Sequence, residues 1–160
     1  GYIFKNIFLR DAHLSCPTVL FRKKCCEEAG VFDPKLARLG CEDRELWLRI
    51  SQKFKIQYID KVLALYRVSG KSMSQNKEKM MKARLYVIDK FCPAGGSCQG
   101  LRRKALAKVY RDIGDELLFE KKFNDSRKQY FKSAVLNPAS IWTWINYLKA
   151  LLRIEVKDVR

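Results

Sequence analysis

The sequence predicts two architectures in one chain: a mixed α/β segment over residues 1–91 and an all-helical segment over residues 101–160, with helix in the majority overall. Three observations carry this. Residues 92–100 (Cys-Pro-Ala-Gly-Gly-Ser-Cys-Gln-Gly) place three glycines and a proline in nine positions, a composition that interrupts regular structure and marks a linker. Before it, short apolar or β-branched runs alternate with helical spacings. After it, only helical spacing remains.

Taken in order, Thr18–Phe21 after Pro17 is a short apolar run that predicts a strand. Arg22–Ala29 predicts a short helix closed by Gly30, and Phe32-Asp33-Pro34 predicts a turn. Over Glu42–Phe54 the apolar residues Leu46, Trp47, Ile50 and Phe54 recur at helical spacing. Ile56–Ile59 and Val62–Tyr66 are apolar on both faces and predict buried strands. Ser74 is placed to cap a helix running to Phe91, with Met81, Leu85 and Ile88 on one face.

Beyond the linker, Leu106, Val109, Ile113 and Leu117 mark one helix. Tyr130, Phe131, Ala134 and Val135 mark a second, stopped by Asn137-Pro138. Ser140 is placed to cap a third through Leu152. The spacing Tyr110, Ile113-Gly114, Leu117, Ser126, Tyr130, Ser133, Pro138 resembles one tetratricopeptide-type hairpin, in which small residues sit where two helices cross closely.

Composition bounds the function. With 160 residues, 48% of them hydrophobic, the chain can bury a core. The 33 Lys and Arg against 17 Asp and Glu leave a net charge of +16, spread evenly: 19 basic and 10 acidic residues in 1–91, 14 and 7 in 92–160. A dispersed positive excess attracts polyanions in general and selects none. The chain opens on Gly rather than Met and is therefore expected to be an excerpt or a processed product, and no window approaches a membrane span. The six cysteines contain no Cys-x-x-Cys pair and there is one histidine, His13, so a paired-ligand zinc site is disfavoured. The cysteines are expected as mostly buried free thiols in a reducing compartment, with a Cys92–Cys98 bridge sterically possible. Gly70-Lys71-Ser72 lacks the earlier glycine of a phosphate loop, since position 65 is Leu65. Gly95–Gly100 lacks the middle glycine of a dinucleotide fingerprint.

The informative stretch is Gly40-Cys41-Glu42-Asp43-Arg44-Glu45-Leu46-Trp47-Leu48-Arg49. Two adjacent carboxylates open a helix whose dipole favours anions there. Asp43, Trp47 and Ile50 share one face, so Asp43 is placed inward, where a general base and an aromatic sugar platform would sit; a simple cap is the alternative. Glu45 and Arg49 are spaced to pair on the surface. Arg67 ends an apolar run and needs a partner, water or an anion.

The order Cys16-Pro17-Thr18-Val19-Leu20-Phe21-Arg22, Gly30-Val31-Phe32-Asp33, Glu42-Asp43 with Leu46-Trp47-Leu48-Arg49, Ala64-Leu65-Tyr66-Arg67 and Ser72-Met73-Ser74 resembles the C-terminal half of a family 2, GT-A-fold glycosyltransferase. The resemblance covers roughly residues 1–76. It implies inverting transfer of a sugar from a nucleoside-diphosphate sugar to an acceptor hydroxyl, on a glycan or a lipid-linked acceptor. It assigns Asp43 as catalytic base, Glu42 as orienting the acceptor, Trp47 as acceptor wall or core, Pro17 and Thr18 as near the acceptor, and Arg67 as facing the donor phosphates. It implies Mg²⁺ or Mn²⁺ in the intact enzyme, with ligands mostly in a missing half. No Asp-x-Asp triplet occurs, and Val68-Ser69-Gly70 stands where many relatives place a histidine. The chain alone is therefore expected to be inactive and to hold no metal. A cytoplasmic location at or near the inner membrane face follows, with peripheral membrane contact and no nucleic acid. A non-enzymatic helical interaction module and a basic membrane-surface or nucleic-acid binder stand as alternatives.

Overall fold

A computed structural model describes residues 1–65 and 76–155 of the protein. The chain forms two units, Gly1–Lys90 and Phe91–Arg160.

The first unit is organised by one helix. α1 (Phe4–Phe8) and α2 (Lys23–Ala29) are only five and seven residues long, and both pack on α3 (Glu42–Lys53); α4 (Lys77–Phe91) follows. Helices this short are not stable by propagation alone and need tertiary support. α3 supplies it. Its Leu46, Trp47, Leu48 and Ile50 are buried, with Ile7 and Phe8 of α1, Leu36, and Ala83, Val87 and Ile88 of α4 completing the core.

α3 also ties off the other helix ends. Arg44 donates from Nε to the Ile7 carbonyl at 3.2 Å and from a terminal nitrogen to the Phe8 carbonyl at 2.6 Å. Arg49 donates to the carbonyls of Ala29 and Val31, the latter at 2.6 Å. Each guanidinium therefore satisfies carbonyls that a helix C-terminus leaves without internal partners. Gly30 closes α2 with φ 81°, a conformation glycine adopts without strain.

The second unit holds α5 (Gln99–Phe119), α6 (Phe123–Leu136) and α7 (Ile141–Leu151). α5 and α6 form a hairpin crossed at small residues. A Cβ on Gly114 would lie 2.8 Å from ring carbons of Tyr130, so only glycine admits that approach. Ser126 donates to the Gly114 carbonyl and Ser133 to the Ala107 carbonyl, both at 2.8 Å and both buried. α7 packs on α6 and buries Thr143 and Ala150. Ser140 precedes it without capping through its side chain; its Oγ instead accepts from the Thr143 hydroxyl at 2.8 Å. Phe131, Val135, Trp142 and Leu148 are exposed.

The α/β half-domain expected over residues 1–91 is not formed: no strand occurs among the described residues. Thr18–Phe21 begins in a 3₁₀ turn (Cys16–Thr18) and continues as unpaired extended chain, while 56–59 and 62–65 have no regular structure; Tyr66 and Arg67 lie outside the described residues, as does Ser74. The physical reason is that a strand exists only in a ladder. An apolar, β-branched run states a preference, and among the described residues no second run pairs with these. Gly1 and Ile56 exchange main-chain hydrogen bonds, but the pairing extends no further. The runs expected as buried are instead open where described, Val62 being 89% and Leu65 93% exposed.

Two smaller expectations also change. Cys92 and Cys98 are joined in a disulfide, with Cα atoms 5.7 Å apart, and of the remaining four cysteines Cys16 is exposed and the others half-buried. The Glu45–Arg49 pair forms, but inside the unit, with Glu45 fully buried. No helix among the described residues is long and apolar enough to cross a membrane.

Candidate functional site

The N-terminus of α3 opens onto a cavity of about 580 Å³ in the first unit, within the size range of small-molecule sites. Glu42 and Asp43 enter it from the first turn of α3, Trp47 from the next turn, and Pro17 and Thr18 from the 3₁₀ turn. Five residues singled out from sequence are thus brought to one place. The sixth, Arg67, lies outside the described residues.

The backbone at the entrance is unusual. Gly40 (φ 93°) and Cys41 (φ 65°) lead into α3 through consecutive left-handed residues, and a Cβ on Gly40 would lie 2.6 Å from Met80 Sδ. Glycine tolerates this geometry; Cys41 carries the strain of a non-glycine residue in that region. Arg10, at φ 60°, does the same at the end of α1. Both Arg10 and Cys41 line the cavity.

The polar chemistry falls into two sets. Asp43 Oδ1 accepts the Arg44 backbone N–H at 2.6 Å, which fixes the carboxylate at the helix start. Two buried polar atoms, Glu42 Oε2 and Trp47 Nε1, have no hydrogen-bond partner among the described residues. One is an acceptor and the other a donor, and both belong to cavity-lining residues. Trp47 is held in place by an edge contact with Phe21, ring centroids 5.4 Å apart.

The second set is cationic. Arg10, Arg44 and Arg84 all line the cavity, with His13. Burial holds the Arg44 guanidinium down to about 10, and the positive charges of Arg10 and Arg84 add to that effect. Burial also pushes the Cys41 thiol up. Sequence reasoning missed these arginines because they come from three segments with no shared spacing; only Arg44, beside Asp43, carried a local hint.

A separate charged cluster braces α3 on its other side. Glu45 receives Arg49 through both oxygens, at 2.8 and 2.7 Å, and Lys90 at 2.8 Å. Lys90 and Tyr86 also donate to Asp33, at 2.6 and 2.8 Å. The Lys90 hydrogen bond, more than any other contact, lowers the Asp33 carboxyl to about 2.

Residues fit for a divalent cation are a separate question. Among the described residues no group of three or more His, Cys, Asp or Glu side chains could hold a metal ion.

Searches against protein-family models, curated proteins and solved structures find no match to the chain. With no family model matching and no strand among the described residues, membership of the GT-A family 2 glycosyltransferases, inferred from motif order, is withdrawn. The five motif blocks are short, and order alone does not establish a fold.

Proposed function

We propose that the cavity at the start of α3 binds a hydroxylated, sugar-like ligand and presents one of its hydroxyls to Asp43 as general base, the acceptor side of a sugar-transfer reaction. This reading rests on the cavity's own residues and not on family or fold. The observation that carries it is the pair of unpartnered buried atoms, Glu42 Oε2 and Trp47 Nε1. A buried donor or acceptor without a partner costs about 1–3 kcal/mol. A ligand bearing several hydroxyl groups carries both what the carboxylate lacks, a donor, and what the indole lacks, an acceptor.

The chemistry asked of Asp43 is simple. As the acceptor oxygen bonds to the anomeric carbon of a nucleoside-diphosphate sugar, the bond from that carbon to the diphosphate oxygen breaks. The hydroxyl proton passes to Asp43 and the nucleoside diphosphate leaves with the electron pair. A carboxylate held at a helix start by the Arg44 amide is oriented for this transfer. The donor sugar's own binding residues are not assigned.

The test uses two variants. Trp47→Phe keeps the ring bulk and removes the donor. It should weaken saccharide binding by about fivefold or more, the value of one hydrogen bond in a buried site, as read by ligand-observed NMR against mono- and disaccharides. Asp43→Asn should leave that binding within about twofold. Assayed with nucleoside-diphosphate sugars, Asp43→Asn should lower turnover by about two orders of magnitude or more. Absence of saturable saccharide binding, or undiminished binding by Trp47→Phe, overturns the reading.

A further inference from the structure

We infer that the outer face of α7 docks the second unit onto the surface of a membrane bearing anionic lipid. The inference is independent of the cavity in the first unit. α7 is built inside out. The residues it buries, Thr143 and Ala150, are small, while its large apolar residues stand open. Ile141, Trp144, Ile145, Leu148 and the C-cap Leu152 fall within an arc of about 100° at 3.6 residues per turn. All five are exposed, Ile141 at 72% and Leu152 at 67%. A helix that packs only on its own protein has the reverse arrangement. The patch continues onto α6. Ring contacts run from Trp144 to Tyr147 and from Tyr147 to Phe131, with centroids 6.1 and 6.5 Å apart, and Phe131 is itself exposed. A contiguous apolar surface, unlike single scattered side chains, marks a site of contact.

Charge selects the occupant. From Asn137 to Ile154 the only charged residues are Lys149 and Arg153, both basic, and residues 92–160 hold 14 basic against 7 acidic side chains. A second copy of the chain would bring +16 against +16, a repulsion that weighs against self-association. A nucleic acid needs a row of cations against its phosphates, and an aliphatic face with two cations does not supply one. An anionic bilayer surface suits both features. Aliphatic and indole groups enter the headgroup–acyl boundary, while lysine and arginine stay among the headgroups. Trp144 is prepared for that boundary: its Nε1 already donates to the Pro138 carbonyl at 2.9 Å, so the ring carries no unsatisfied polar atom into it. With 11 residues, α7 is about half as long as a bilayer is thick, so it lies along the surface.

Sedimentation of the chain with vesicles of phosphatidylcholine alone, or of phosphatidylcholine and phosphatidylserine in equal parts, tests this. Retention on the mixed vesicles should be about tenfold stronger or more, the combined worth of two cations at an anionic surface. Tryptophan emission should move to shorter wavelength there, since Trp142 and Trp144 stand on or beside the face. Ile145→Gln combined with Leu148→Gln keeps the charge and removes two apolar anchors. It should weaken retention on the mixed vesicles by about tenfold or more, with amide protection of α5 and α6 unchanged. Undiminished retention of this variant would show that general positive charge, and not this face, holds the vesicles, and overturns the proposal. So does an absence of retention on the mixed vesicles, or equal retention on both kinds. Should the double variant fail to fold, Lys149→Gln combined with Arg153→Gln decides: retention on the mixed vesicles should fall about tenfold, and unchanged retention overturns the proposal. Without vesicles, sedimentation velocity should show a monomer. A dimer that Ile145→Gln with Leu148→Gln dissolves assigns the face to a second copy and likewise overturns it.

Discussion

The two units solve the same problem, ordering helices, by opposite means. In Gly1–Lys90, helices of five and seven residues cannot hold themselves, and α3 finishes them with Arg44 and Arg49. The Arg49 charge is paired with buried Glu45, which also takes Lys90, and Lys90 pairs in turn with Asp33. In Phe91–Arg160, helices of 21 and 14 residues satisfy their own backbones and need only close approach. Gly114, Ser126 and Ser133 provide it, with neutral side chains bonded to carbonyls of the facing helix. Long helices can be joined by steric fit; short ones need specific polar ties. A polar framework also leaves a cavity with strained entrance residues and charged walls, while a close-crossing hairpin leaves little room inside.

That contrast predicts where each unit breaks. The largest effect is expected at Glu45. Glu45→Ala leaves Arg49 and Lys90 without their common buried partner, and removing one member of a buried pair costs about 3–5 kcal/mol. Hydrogen exchange on the intact chain should show α2 and α3 amides losing protection while α5 and α6 amides keep theirs. Uniform loss in both units would mean that the charge network is not local to the first.

The corresponding break in the second unit is smaller. Gly114→Ala puts a methyl group 2.8 Å from Tyr130 ring carbons, and overpacking of this kind costs about 1–3 kcal/mol. The loss of protection should fall on α5 and α6. A stabilised Gly114→Ala chain, as expected for alanine in an open helix position, would show that the crossing is not tight.

How far each unit is legible in sequence follows from the same difference. The hairpin contacts join residues spaced along two consecutive helices, so Gly114, Tyr130, Ser126 and Ser133 could be read from spacing alone. α3 was legible for the same reason. The strands were not, because a strand's existence depends on a partner that local pattern cannot supply, and Leu20, Val62 and Leu65 stand open instead. The Glu45–Arg49 pair was legible as a pair, but its burial depends on Lys90, which is distant in sequence. In the cavity, Glu42, Asp43 and Trp47 lie on one helix and were found together. Arg10 and Arg84 reach it from elements 74 positions apart in number and left no trace in local pattern.

The smallest expected effect distinguishes the units by sign. Asp33, in the first, has its carboxyl lowered to about 2 from 3.8, chiefly by the hydrogen bond from Lys90. Its contribution to stability is present above pH 3.8 and is lost as pH falls towards 2. Asp115, in the second, accepts from Tyr130 at 2.7 Å and from Asn146 at 3.0 Å, yet desolvation outweighs both and raises its carboxyl above 3.8. A carboxyl raised on folding favours the protonated state, so this contribution diminishes as pH rises through 3.8 and returns on acidification. Asp115 remains partly open to solvent, which shrinks its effect. Lowering the pH from 5 to 3 should therefore weaken amide protection in α3 and α4 through Asp33 and slightly relieve α5 and α6 through Asp115. Asp33→Asn should remove the first response and leave the second. A parallel decline in both units, unchanged by Asp33→Asn, would show that general positive charge, and not these two carboxyls, governs the acid response.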